Sequence, residues 1–160
     1  SLDCLSCTLT SIEEPLCQKC GLNLAEEVYQ GHFRQTGFLP NVFKVLSHWP
    51  LEYRAFFAYY NVICNKKTGQ LSRADKELII LVTSLANRCS YSVVVHSAWY
   101  RVFSKNPVLS DQVCINWRKS DLPAWEKAML EFALAISQAD DVTDDHFKKL
   151  EVHGFNQEDA

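Results

Sequence analysis

The chain has 160 residues, a formal net charge of −3, 48% apolar residues and 22% charged residues. These values are typical of an ordinary globular domain that is large enough to bury a hydrophobic core. The acidic balance argues against a nucleic-acid-binding protein, and no apolar run approaches the ~20 residues of a membrane-spanning helix. No secretory signal is visible, but the chain begins at Ser1 rather than at a methionine. Whether a leader precedes this sequence is therefore not decided, nor is the compartment of the protein, for which the cytoplasm is favoured.

Four of the seven cysteines crowd the first segment, residues 1–21, which shows no helical or strand periodicity. They form two C-x-x-C pairs separated by nine residues: Cys4, Cys7, Cys17 and Cys20. Because each tight turn can offer two thiolates to one tetrahedral ion, the segment is predicted to be an irregular arm that holds a structural zinc. The loop between the pairs is shorter than in zinc ribbons. Two local disulfides or four free thiols are the alternatives.

From Leu22 onward the pattern is helical. An amphipathic run occupies residues 24–37. A short helix is predicted over residues 40–49, with Pro40 at its first position. A longer helix is predicted over residues 50–67, and Gly69 is expected to end it. Three apolar side chains recur on one stripe of this helix: Phe56, Tyr60 and Ile63.

The stretch from Ser72 to Asp75 resembles a capping box with aspartate in the glutamate position, and it predicts the start of a helix. After an interruption at Asn87 and Arg88, a further helix is expected to run from Cys89 to about residue 103. No segment shows convincing strand alternation. The sequence therefore predicts an all-α fold.

Two more helices are predicted towards the end of the chain. The first follows Pro123 over residues 124–137, with a buried face formed by Trp125, Met129, Phe132 and Ile136. The second begins at Thr143 or the next residue and ends at Gly154. A last helix has barely begun when the sequence ends, which suggests that the helical domain, residues 22–160, is truncated at its C-terminus.

One stretch combines an acid, a cysteine and a histidine among apolar residues: Glu77, Cys89 and His96. Cys89 falls at a predicted helix N-terminus, where free backbone N–H groups and the helix dipole favour an anion, so its thiol pKa should be lowered. Ser92 and His96 lie three and seven residues further on, close to one helical face. Glu77 could meet them from the preceding helix.

These residues carry a family resemblance. The matching segments are GFLPN, AFFAYYNVI, TGQLSRADKELI, CSYSVVVH and FKKLEVHGFNQED, which occur in family order between residues 22 and 160. The chain resembles the alkyl hydroperoxidase D / carboxymuconolactone decarboxylase superfamily, particularly its peroxidase-related branch. The resemblance implies an alkyl hydroperoxidase D-like helical bundle that assembles as a homo-oligomer, and it does not include the cysteine-rich arm.

The family's redox motif is a glutamate, then C-x-x-C, then a histidine four residues after the second cysteine. Carried over residue by residue, the glutamate is Glu77, the first cysteine is Cys89 and the histidine is His96, whereas the second cysteine is replaced by Ser92. In the family the second cysteine is commonly given the peroxide-attacking role, and the pair then closes a disulfide. A serine can do neither, so a two-cysteine mechanism within this motif is excluded.

A single cysteine followed by Ser-Tyr and by a histidine at the seventh position is also similar to the sestrins. Cys89, Tyr91 and His96 match that pattern, and the similarity implies reduction of organic peroxides. We therefore expect a one-cysteine peroxidase that needs no cofactor for its chemistry and is re-reduced by an external thiol. The alternatives are a non-enzymatic member that acts by binding a partner, and a lactone decarboxylase that uses Glu77 and His96 without the thiol.

Each candidate residue also has a purely structural interpretation. Cys89 could be a buried core residue, His96 a core histidine, and Tyr91 a packing residue. Glu77 could pair with a neighbouring cation, Lys76 or Arg88, and Ser92 could bond only within its own helix. The remaining cysteines, Cys64 and Cys114, are expected to belong to the core, although either could resolve a sulfenic acid if it lay close enough.

Overall fold

A computed structural model describes residues 41–46, 49–64, 69–156 and 159. The helices of this part of the chain are α1 (Asn41–Leu46), α2 (Pro50–Cys64), α3 (Arg73–Ala86), α4 (Ser90–Ser104), α5 (Pro107–Asn116), α6 (Ala124–Ser137) and α7 (Asp144–Val152). A 3₁₀ turn, Trp117–Lys119, follows α5. No strand occurs among these residues, and the predicted all-α fold is confirmed.

The chain divides into two compact units, one that ends at Ile63 and one that runs from Cys64 to Ala160. In the first unit, α2 carries neighbouring aromatic rings whose centroids lie 4.5–6.4 Å apart: Tyr53, Phe56, Phe57 and Tyr60. Helix α2 is described as far as Cys64. Gly69, where this helix was expected to end, adopts a positive φ of 85°.

In the second unit, α3 packs against α4, α5 and α6, and α7 packs against α6. The fully buried residues Leu78, Leu81 and Val82 recur on one face of α3 because they are spaced by three and four positions. Burying each leucine contributes about 1.5–3 kcal/mol. The surrounding helices complete this core with Tyr100, Val113, Met129, Leu130, Leu134 and Leu150.

The helix starts follow the predicted capping signals. The side chain of Ser72 accepts the backbone N–H of Asp75 at 3.2 Å, and the carboxylate of Asp75 accepts the backbone N–H of Ser72 at 2.7 Å. This reciprocal pair is the predicted capping box at the start of α3. Thr143 caps α7, and Gly154 follows that helix with a φ of 85°.

Two details of the helices differ from the sequence prediction. Helix α5 was missed, although Asn106 caps it and Pro107 stands at its first turn, because its apolar residues follow no single stripe. On α6, Ile136 is 55% exposed, so its assignment to the buried face was wrong. The α6 core contacts are centred on Leu130 and Leu134, while the predicted aromatic residues of that helix contact rings further along the chain: Trp125 with Phe155 and Phe132 with Phe147.

Several predictions fall on residues outside the described part of the chain. They are the cysteine-rich arm over residues 1–21, its four cysteines, the boundary at residue 21 and the helical run over residues 24–37. Among the described helices, none is long and apolar enough to cross a membrane.

Candidate active site

The corner between α3 and α4 places Cys89. The backbone N–H of Arg88 donates to the carbonyl of Leu85 at 3.1 Å, and that of Cys89 donates to the carbonyl of Ser84 at 3.0 Å. This pair of bonds is a Schellman motif, in which Arg88, with a φ of 55°, occupies the left-handed position that glycine usually takes. Helix α3 therefore ends just before Cys89, which becomes the N-cap residue of α4.

The Cys89 thiol lies on the exposed surface at the start of α4. Its Sγ atom is 3.2 Å from the Oγ atom of Ser92. The hydrogen bond to the Ser92 side chain is the largest cause that lowers the pKa of the Cys89 thiol. Backbone hydrogen bonds from Ser92 and Tyr91 lower the pKa further, against a smaller opposing effect of desolvation. An exposed thiol with a lowered pKa has the accessibility and the tendency to ionise that a nucleophilic cysteine needs.

A second polar contact joins α3 to α4. The carboxylate of Glu77 is completely buried, and its Oε2 atom lies 2.6 Å from Nδ1 of His96, whose side chain is 15% exposed. The ring is thereby oriented through Nδ1, and Nε2 is the nitrogen that Glu77 does not engage. In a neutral ring whose Nδ1 donates to the carboxylate, Nε2 is a proton acceptor.

The predicted site residues thus form two contacting pairs, Cys89 with Ser92 and Glu77 with His96. Cys89 and His96 are about 10 Å apart along the helix axis, because seven residues at ~1.5 Å each separate them. Ser92 lies between them on α4, three residues from the cysteine and four from the histidine. Tyr91 is 43% exposed and contributes a backbone hydrogen bond to Cys89. The catalytic roles of these residues stay predictions.

Sequence reasoning missed the cation that accompanies Glu77. The guanidinium of Arg73 lies 2.7 Å from the Oε1 atom of Glu77, whereas the sequence suggested Lys76 or Arg88. The spacing held a signal, since an arginine four residues before a glutamate lies on the same helix face. The Ser92 hydroxyl contacts the thiol of Cys89, the N-cap residue of its own helix.

The other described cysteines have a different environment. Cys64 is buried, and burial raises the pKa of the half-buried Cys114 thiol. Among the described residues, no group of three or more histidine, cysteine or acidic side chains could hold a metal ion. The predicted zinc ligands Cys4, Cys7, Cys17 and Cys20 lie outside this part of the chain.

Comparison with known proteins shows which family this chain resembles in sequence and structure. Residues 50–103, which include α3 and Cys89 to His96, match the model of the carboxymuconolactone decarboxylase family. A crystal structure of an alkylhydroperoxidase AhpD core, an uncharacterised peroxidase-related protein from Ralstonia eutropha JMP134, is 37% identical with a TM-score of 0.81. That match covers 94% of this chain and 77% of the Ralstonia chain.

A second crystal structure, an uncharacterised peroxidase-related protein from Silicibacter sp. TM1040, is 29% identical with a TM-score of 0.81. That match covers 93% of this chain and 75% of the Silicibacter chain. The comparison with curated proteins gives no significant match. The identity and coverage of the Ralstonia match, together with the family model, lead to one conclusion: the chain belongs to the alkyl hydroperoxidase D / carboxymuconolactone decarboxylase superfamily.

Proposed function

We propose that the protein is a thiol-dependent peroxidase that reduces organic hydroperoxides through Cys89. The observation that carries this proposal is the exposed Cys89 thiol at the start of α4, whose pKa is lowered by the Ser92 hydroxyl and by backbone hydrogen bonds. The solved relatives described as peroxidase-related support the same reaction class.

In the proposed reaction, the Cys89 thiolate attacks the outer oxygen of the hydroperoxide. The O–O bond breaks, Cys89 becomes a sulfenic acid, and the leaving alkoxide takes up the proton that the thiol released. Two equivalents of an external thiol then reduce the sulfenic acid, which yields one disulfide of that thiol, one water molecule and the free Cys89 thiol. Because Ser92 occupies the position of the family's second cysteine, the motif itself holds no thiol that could reduce Cys89, and an external thiol is the proposed reductant.

His96 is proposed to carry the proton between these steps. Its Nε2 atom can accept the thiol proton and return it to the alkoxide, while Glu77 holds the ring through Nδ1. Since His96 lies about two helical turns from Cys89, the proton would pass through the Ser92 hydroxyl or a water molecule. The Ser92 hydroxyl, 3.2 Å from the thiol, is suited to that transfer.

The test is consumption of cumene hydroperoxide in the presence of dithiothreitol by the parent protein, Cys89→Ser and the matched control Cys114→Ser. We expect Cys89→Ser to lose the activity to the background rate and Cys114→Ser to keep it. A sulfenic-acid probe should label Cys89 after one equivalent of peroxide. Equal rates in the parent and Cys89→Ser would refute the proposal, and a folded parent without any activity would favour a member that acts by binding a partner.

One observation favours a second candidate function. The Glu77–His96 pair is complete at 2.6 Å and does not need the thiol, and the matching family model is that of carboxymuconolactone decarboxylases. The pair could therefore perform acid–base chemistry on a lactone. Lactone turnover that persists in Cys89→Ser and is lost in His96→Gln would establish this function in place of the peroxidase.

A further inference from the structure

We infer that Arg73 is a positioning residue of this site. Its guanidinium fixes Glu77 as a carboxylate, so that Glu77 holds His96 with a proton on Nδ1 and leaves Nε2 as the proton acceptor. The kinetic effect of Arg73 rests on the proposed peroxidase function, whereas the position of the His96 proton does not.

The two oxygens of the Glu77 carboxylate contact two different residues, one through an ion pair and one through a hydrogen bond. Oε1 lies 2.7 Å from Nη2 of Arg73, and Oε2 lies 2.6 Å from Nδ1 of His96. No part of the Glu77 side chain is exposed. A buried carboxylate stays ionised only when it is paired and hydrogen-bonded, so the arginine supplies the charge that the histidine alone cannot supply in its neutral form.

Arg73 is itself held in place from the other helix. Its guanidinium lies over the ring of Phe103, 5.4 Å from the centroid, and that ring stacks on Trp99 at 5.7 Å. Both aromatic residues belong to α4, which also carries His96. The planar guanidinium thus joins the first turn of α3 to the second half of α4, and lysine would keep the charge but lose the planar contact.

This arrangement gives Glu77 a role different from that of a proton store. Oε1 is ion-paired with Arg73 and Oε2 is hydrogen-bonded with His96, so the group left to exchange a proton is Nε2 of His96. If Glu77 were instead protonated, it would donate to Nδ1, and the neutral ring would carry its proton on Nε2. The two alternatives therefore predict opposite tautomers of His96.

The tautomer can be measured without any enzymatic assay. ¹⁵N-histidine-labelled protein is studied by long-range ¹H–¹⁵N correlation between pH 6 and 9, and the His96 signals are identified as those lost in His96→Asn. We expect Nδ1 of His96 to be protonated in the parent protein at every pH in this range. A neutral ring with a bare Nδ1 in the parent would overturn the inference. The tautomer is read from the parent protein itself, and His96→Asn serves only to assign the signals.

Variants then test the part played by the arginine. Arg73→Gln should convert the neutral His96 ring largely to the tautomer with a bare Nδ1, whereas Arg73→Lys should keep the Nδ1 proton. The control is Arg101→Gln, which removes an exposed arginine that pairs with Asp111 at 2.5 Å and should leave the tautomer unchanged. A folded Arg73→Gln protein with the parent tautomer, or an Arg73→Lys protein without the Nδ1 proton, would contradict the inference.

The kinetic readout separates this inference from the proposed function. In the cumene hydroperoxide assay, Arg73→Gln should lower kcat/KM about 10- to 100-fold, a part of the ~10²–10⁴ that a positioned proton-transfer group contributes. Arg73→Lys should recover most of that loss. If the parent protein has no peroxidase activity, the proposed function fails, and the tautomer measurement still decides whether Arg73 positions His96.

Discussion

At the scale of single residues, Ser92 gains a role from its position. It replaces the family's second cysteine, yet its hydroxyl is the largest cause of the lowered pKa of Cys89. The serine therefore removes the partner for a disulfide and at the same time favours the thiolate that remains. The two effects together suit a cysteine that reacts alone.

Replacing Ser92 should make Cys89 less reactive. In Ser92→Ala the side-chain hydrogen bond is lost, so the pKa of the Cys89 thiol rises and the thiolate fraction at pH 7 falls. The backbone hydrogen bonds remain, and we expect iodoacetamide alkylation of Cys89 to become slower without being abolished. Ser90→Ala, an exposed neighbour on the same turn, should keep the parent rate. An unchanged rate in Ser92→Ala would contradict this account of the pKa.

At the scale of elements, the corner between α3 and α4 depends on one backbone conformation. Arg88 holds the left-handed position of the Schellman motif, and the side chain of Asn87 donates to Ser137 at the end of α6 at 3.0 Å. These contacts fix where α4 begins and therefore where Cys89 stands. Arg88 is not among the causes of the lowered Cys89 pKa, so its part in the site is conformational.

Arg88→Gly should accordingly stabilise the fold without changing the thiol. An L-residue in the left-handed region costs roughly 1–2 kcal/mol, while glycine costs about 0.4–1 kcal/mol through the unfolded chain. We expect the free energy of unfolding in urea to rise by about 0.5 kcal/mol, with the parent rate of Cys89 alkylation. Asn87→Gly, at a negative φ of −82°, is the control and should destabilise the protein. A less stable Arg88→Gly protein would show that contacts of the arginine side chain contribute more stability than the removal of its left-handed backbone strain.

A second set of contacts between helices brings two carboxyl groups together. Asp75, 5% exposed at the start of α3, faces Glu126 on α6. Burial, the charge of Asp75 and a hydrogen bond with it raise the pKa of Glu126 from an ordinary 4.5 to about 7. Burial and the same two carboxylates raise the pKa of the Tyr100 phenol on α4. Glu126 therefore keeps its proton in the folded protein at mildly acidic pH.

This pair predicts that the fold loses stability as the pH rises from about 4.5 to about 7. Because the folded pKa of Glu126 lies above the unfolded one, its contribution is fully present below pH 4.5 and is lost as the pH rises through about 7. Its size is on the order of 2 kcal/mol, since a full unit is worth ~1.4 kcal/mol and Glu126 is only partly buried. In urea titrations, Glu126→Gln, which stays neutral, should be less sensitive to pH than the parent. The exposed Glu151→Gln should follow the parent curve, and a parallel curve for Glu126→Gln would refute the assignment.

At the scale of the whole molecule, the sequence predicted the features that depend on residues close together in the chain. The helix starts at Ser72 and Thr143 depend on local capping, and the start after Pro123 depends on the fixed φ of proline. The positions of Glu77 and His96 follow from helical periodicity. Beyond the Glu77–His96 contact, the sequence could not predict which distant side chains meet. Phe103 lies 30 positions after Arg73, and Glu126 lies 51 positions after Asp75, so these contacts exist only once the helices have packed.

Among the described residues, two thiols besides Cys89 could resolve its sulfenic acid, Cys64 and Cys114. Cys64 is buried, and burial raises the pKa of Cys114, so neither offers the accessible thiolate that attacks a sulfenic acid. After peroxide treatment without added thiol, peptide mapping should find Cys89 as sulfenic or sulfinic acid and find Cys64 and Cys114 as free thiols. Dithiothreitol that is added before an excess of peroxide has been supplied should return Cys89 to the thiol. A disulfide that joins Cys89 to Cys64 or Cys114 would contradict external reduction, because the chain would then resolve its own sulfenic acid.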